Sequence, residues 1–208
     1  MELTLNEKEY LKETTEYTGV HPQKFALWIG MGSMAMFFAA LTSGLIIKKG
    51  DFRAWEGFRL PTIFAYSTIA IIAVSVLMQL SLVNYRKAKF ASFRTLLASS
   101  FVMAIVFLML QLKGWSVLNA MGMPLTGNIS GQFIYMLTSM HGVHIIAGLL
   151  VTLVFLVSAI RSRKDPIYEL RDIINPKRQL HLELLVSFWH FIDIVWVYLY
   201  VFFLLNYN

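Results

Sequence analysis

Five apolar stretches, at residues 25–47, 61–83, 93–112, 132–160 and 182–205, dominate this chain and leave it few folds to choose from. At about 1.5 Å of rise per residue, a helix over each reaches across the roughly 30 Å of hydrocarbon in a bilayer. Lipid offers backbone N–H and C=O groups no partner, so segments of this length must bond within themselves, as helices do. The expected fold class is an all-α integral membrane domain, a five-transmembrane-helix bundle over residues 25–208, behind an N-terminal arm of residues 1–24. The third stretch is the shortest. The fourth exceeds the bilayer thickness and is expected to tilt or to project into the loop that follows.

Composition agrees with a single membrane domain. The 208 residues are 57% hydrophobic and 14% charged with mean hydropathy +0.61, and no polar tract separates two folded cores. Without cysteine, disulfides, thiolate metal sites and cysteine nucleophiles are excluded. The arm alternates Glu2, Glu7, Glu9, Glu13 and Glu16 with Lys8, Lys12 and Lys24. That pattern lacks the basic start and apolar core of a cleavable signal, so the first span is expected to insert the chain itself. A formal charge of +6 would suggest a nucleic-acid partner on a soluble domain. Here the bases sit in short loops beside apolar spans, where they encode topology, and no nucleic acid is expected.

The distribution of Lys and Arg sets the expected orientation. One side holds thirteen: Lys8, Lys12 and Lys24 in the arm, Arg86, Lys87, Lys89 and Arg94 at the second loop, and Arg161, Arg163, Lys164, Arg171, Lys177 and Arg178 at the fourth. The other holds five: Lys48, Lys49, Arg53, Arg59 and Lys113. The N-terminus is therefore expected to be cytoplasmic and the C-terminus periplasmic. Trp28, Trp55, Trp115, Tyr85 and Tyr207 fall at span edges, where amphipathic rings meet the headgroups. Small residues four apart in the first span (Ala35, Ala39, Ser43; Ala40, Gly44) would permit close helix approach. Met31, Met34 and Met36 read as adaptable packing, and Gln79, Gln111 and Asn84 as groups near span ends that reach water or headgroups.

Function should lie with the polar residues that the last two spans carry into the membrane. A carboxylate at the bilayer centre costs roughly 2.5–3.5 kcal/mol on insertion scales, so each needs a partner or a use. Helical spacing places Glu183, Ser187, His190 and Asp193 on one stripe of the fifth span, and Thr138, His141, His144 and Gly148 on one stripe of the fourth. The two spans are antiparallel neighbours, and Asp193 and His144 both fall roughly 18 Å from the outer end. The expectation is a polar clasp in which Asp193 accepts a hydrogen bond from His144 or His141. Four readings compete: a metal site, a bis-histidine haem using His190 and one fourth-span histidine, a proton relay or transport site, and a structural clasp between two helices. Physics alone favours the last, since a diiron bundle needs Glu-x-x-His on two helices and further glutamates.

At these residues the chain resembles subunit III of the haem-copper oxidases, the respiratory cytochrome c and quinol oxidases. His141-Gly142-Val143-His144, preceded by Phe133, Tyr135 and Thr138 and followed by Gly148, is similar to the family's His-Gly-x-His helix. Glu183, then Phe188-Trp189-His190-Phe191-Ile192-Asp193-Ile194-Val195-Trp196, is similar to its terminal Glu followed by Trp-His-Phe-Val-Asp-Val-Val-Trp. The resemblance runs from about Phe25 to the C-terminus, and five spans match the shorter bacterial form.

The resemblance implies a non-catalytic subunit with no cofactor of its own. Haem and copper would belong to the catalytic subunit I and to subunit II, its partners in a bacterial cytoplasmic membrane. The chain itself would bind phospholipid, stabilise the catalytic subunit and sustain proton uptake. Two positions depart from the family pattern. Met34 stands where an acid is usual in the first span, and Gly114, followed by Trp115, stands where a second is common after the glutamine matching Gln111. A proton-collecting role for the first-span acid therefore does not transfer. The rival expectation is a stand-alone ion or proton carrier that uses the same Glu, His and Asp side chains.

Overall fold

A computed structural model describes residues 21–50, 59–126, 129–162 and 176–207. The described residues form five helices: α1 (Pro22–Gly50), α2 (Ile63–Arg86), α3 (Phe90–Ala120), α4 (Ile129–Ser162) and α5 (Pro176–Tyr207). Each is long and apolar enough to cross a membrane, and no strand occurs among the described residues. The chain passes up and down through the bundle. The start of α1, the end of α2 and the start of α5 share one end, where Lys24, Arg86 and Glu183 meet. The arm before residue 21, Arg53, Trp55 and most of the basic fourth loop lie outside the described residues.

The third span, expected to be the shortest, is a 31-residue helix. It runs on past Lys113 because Trp115 faces the bundle rather than a headgroup layer: its Nε1 donates to Thr138 Oγ1 at 2.9 Å. The helix stops at a Schellman turn, in which Gly122 at φ 79° donates to Asn119 O and Met123 N–H reaches back to Leu118 O. The α2–α3 turn has the same form with no glycine. Ala88 occupies the left-handed position at φ 55°, while Ala88 N–H bonds Tyr85 O and Lys89 N–H bonds Asn84 O.

The centre of the bundle is α5. Of its apolar window 39% is buried, against 11% for α1, so the last helix is surrounded and the first is peripheral. Its large side chains Trp189, Trp196 and Phe203 are fully enclosed. It is flanked by α2 and α4, and α3 closes the core through Phe107, whose ring meets Trp196 edge-on at 5.1 Å. Running parallel to α5, α1 is tied to it along its length. Lys24 pairs with Glu183, the Thr42 and Tyr198 hydroxyls lie 2.7 Å apart, and Lys49 Nζ donates to Asn206 O at 2.7 Å. The small-residue stripe of α1 makes no close approach to the described residues, for Ala35, Ala39, Ala40 and Ser43 are exposed. Two expected edge aromatics are also buried: Tyr85 packs on Phe90 and Phe93, and the Tyr207 hydroxyl donates to Ser130 O at 2.7 Å.

Candidate functional site

Polar side chains from α2 and α5 meet in a ladder along the antiparallel seam between these helices. At one end Glu183 accepts from Arg86 at 2.9 Å, Gln179 at 3.0 Å and Lys24 at 3.3 Å, which joins α5 to both α2 and α1. Two turns deeper, His190 bridges two residues of α2. Its Nε2 lies 3.1 Å from Gln79 Oε1 and its Nδ1 2.6 Å from Ser75 Oγ. An amide oxygen only accepts, so Nε2 carries the proton and the Ser75 hydroxyl donates to Nδ1. The last rung is Trp196, whose Nε1 donates to Thr68 Oγ1 at 3.0 Å.

Across α5, on the α4 side, the contacts are mostly aromatic. Trp189 Nε1 donates to Thr152 Oγ1 at 2.9 Å, and its ring lies over Gly148, where a Cβ would come within 3.3 Å of it. His141 is 1% exposed and sits among the rings of Trp196 (5.2 Å), Phe107 (5.8 Å) and Phe38 (6.3 Å). Its Nε2 has no hydrogen-bond partner among the described residues. The His144 ring also lies near Phe38, at 6.0 Å, and its Nδ1 is used on Met140 O at 2.7 Å, one turn back on its own helix.

The expected hydrogen bond from His144 or His141 to Asp193 is not made. Asp193 is 4% exposed, and neither carboxyl oxygen has a hydrogen-bond partner among the described residues. Ser75 stands beside it, but the Ser75 proton is directed to His190. Matched depth shows that two groups can meet, and rotation about the helix axis decides whether they do. At about 100° per residue, His190 and Trp189 point to different neighbours, α2 and α4, and Asp193 lies between those two directions. The clasp that joins α5 to its surroundings is thus built mainly by Glu183 and His190 against α2 and by Trp189 against α4. His141, His144 and Asp193 take no hydrogen-bonded part in it. His190 and the fourth-helix histidines also turn to different helices, as a bis-histidine haem would not allow. Among the described residues, no three His, Asp or Glu side chains converge as metal ligands.

The partners Thr68 and Ser75 were missed in the sequence, although with Gln79 they make one polar face of the second span at spacings of seven and four. Gln79 bonds His190 while staying exposed, and Gln111 reaches protein rather than water. Gln111 is buried at 4% exposure, and its Nε2 donates to Ser67 Oγ at 2.9 Å. The missing acid at Gly114 has a steric cause as well. A Cβ there would approach Phe64 Cζ to 3.0 Å, and the Phe64 ring stacks on Trp196 at 6.3 Å. Met34, at the other departure, packs partly buried against the core.

A bundle of five helices, each long and apolar enough to cross a membrane, defines a multi-pass membrane protein. A family model for cytochrome c oxidase subunit III matches residues 56–207, and the chain belongs to that family. It is 23% identical over 209 residues to cytochrome c oxidase subunit 3 of Bacillus subtilis, covering 91% of this chain and 93% of that protein. To the subunit 3 of a Synechocystis strain it is 26% identical over 187 residues, covering 87% and 75%. A probable cytochrome c oxidase subunit 3 of Mycobacterium tuberculosis is 25% identical over 133 residues, and the chain spans 61% of that relative's length.

Proposed function

We propose that the chain is the non-catalytic subunit III of a terminal haem-copper oxidase in a bacterial cytoplasmic membrane. Its arm would face the cytoplasm and its C-terminus the periplasm. It packs against catalytic subunit I and subunit II, which carry the haem and copper, and it holds phospholipid at their edge. By keeping that edge rigid and dry it sustains proton uptake while the partner reduces oxygen. The observation that carries this reading is how the α5 motif is used: Glu183, Trp189, His190 and Trp196 are each bonded to a neighbouring helix. Side chains so engaged fix a shape rather than turn over a substrate.

The unpartnered Asp193 is what favours the rival, a stand-alone proton or ion carrier. Purification in mild detergent separates the two. The subunit reading expects a co-eluting haem protein and no transport by the chain reconstituted alone. In a deletion strain, the first turnovers of the oxidase should be normal and activity should then decay faster under sustained catalysis. Unchanged decay with normal assembly would defeat the proposal.

A further inference from the structure

We propose that Asp193 is a neutral carboxylic acid whose proton goes to Ser75 Oγ, which makes the α2–α5 seam a proton-holding site with its open end at Gln79. The site belongs to the chain alone and stands under either reading above. Asp193 is 4% exposed, and neither oxygen of its carboxyl receives a hydrogen bond from the described residues. The neighbouring hydroxyl, Ser75, donates its proton to His190 Nδ1 at 2.6 Å and has only lone pairs left to offer. A carboxylate gains nothing from a lone pair, whereas a carboxylic acid has an O–H to give it. Turning the carboxyl about its last side-chain torsion, which is soft, completes that bond.

The surroundings offer an ionised Asp193 no compensating charge. Arg86, the one Lys or Arg of α2, lies roughly 16 Å along the helix from Ser75 and is bonded to Glu183. Between Lys24 and Lys48 of α1, Tyr66 and Tyr85 of α2, and Arg94 and Lys113 of α3 there is no ionisable side chain. On α4 the titratable groups nearest this level are His141 and His144, neither of which bonds the carboxyl. On α5 itself they are Tyr198, which meets Thr42, Tyr200, and His190, which its two bonds hold neutral. A buried acid so placed keeps its proton rather than a charge. Three donors then point one way: Asp193 O–H to Ser75 Oγ, Ser75 O–H to His190 Nδ1, and His190 Nε2–H to Gln79 Oε1 at 3.1 Å. Moving the first two protons one step along leaves a carboxylate and an imidazolium, with net charge unchanged. Loss of the Nε2 proton at the exposed Gln79 edge then discharges the site by one proton, and uptake runs the same steps backward.

Infrared spectra of the full-length chain in mild detergent at neutral pH, with aspartate isotopically labelled at the side-chain carboxyl, test this. The aspartates are Asp51, Asp165, Asp172 and Asp193, and an ordinary aspartate is ionised at neutral pH. A label-shifted C=O band of a protonated carboxyl is therefore expected, and Asp193→Asn should remove it. Ser75→Ala should raise its frequency, as loss of a hydrogen bond does, and Ser75→Thr, which keeps the hydroxyl, should leave it in place. Should Asp193→Asn fail to fold, the labelled band of the unaltered chain and the two Ser75 variants carry the test. Carboxylate bands alone in the unaltered chain, a protonated band that survives Asp193→Asn, or one that Ser75→Ala does not move overturns the site. None of these spectra involves haem or transport. The site can therefore fail while the oxidase reading stands, and absence of a co-eluting haem protein removes that reading without touching the site.

Discussion

Two glycines in the family-like motif of α4 ought to respond oppositely to the same substitution. At Gly148 an added methyl would lie 3.3 Å from the rings of Phe188 and Trp189, and the Trp189 ring is held by its bond to Thr152. The Trp189 ring is fully buried, so Gly148→Ala is expected to destabilise the protein by about 1–3 kcal/mol, the usual cost of overpacking. Gly142, within the His-Gly-x-His run, has nothing within 4 Å of the corresponding position. There the helix propensity of alanine is unopposed, and Gly142→Ala should be neutral or stabilising by up to about 1 kcal/mol. Thermal unfolding of both variants in one detergent measures the contrast. If both lose stability equally, the position of the Trp189 ring is not what makes Gly148 necessary.

At the scale of helices, the turn between α2 and α3 holds a strain that one substitution relieves. Ala88 sits at φ 55°, a conformation that costs an L-residue roughly 1–2 kcal/mol and glycine little. Ala88→Gly, at an exposed site whose two backbone bonds are already made, is expected to gain about 0.5–1 kcal/mol in unfolding, once the greater freedom of unfolded glycine is offset. The attachment of α1 is weaker. Glu183 and its partners Arg86 and Lys24 are partly exposed, so Glu183→Gln should cost at most about 1 kcal/mol and less in high salt, read as a salt-dependent shift in melting temperature. The helices themselves were legible because hydropathy and length are one-dimensional. Which neighbour each motif residue meets was not. His190 and Asp193 sit three positions apart on one stripe, yet one is doubly bonded to α2 and the other unbonded. That difference depends on the rotation of α5 against two flanking helices, which a single sequence does not encode locally. For the same reason Gln111 and Tyr207, near span ends by count, prove to be buried.

For the whole molecule the open quantity is which end faces the cytoplasm, and the chain is well suited to a direct test because it has no cysteine. A single introduced thiol is then the only target for a membrane-impermeant maleimide. Lys87, exposed in the α2–α3 turn, stands at the end of the bundle shared with Glu183, and Leu125, 59% exposed after α3, stands at the other. The excess of Lys and Arg at the Lys87 end predicts that it is cytoplasmic. Leu125→Cys should therefore be labelled in intact cells, and Lys87→Cys only after the membrane is permeabilised. Labelling in the reverse order would turn the bundle over and place the Glu183 cluster with Lys24 and Arg86 on the periplasmic side.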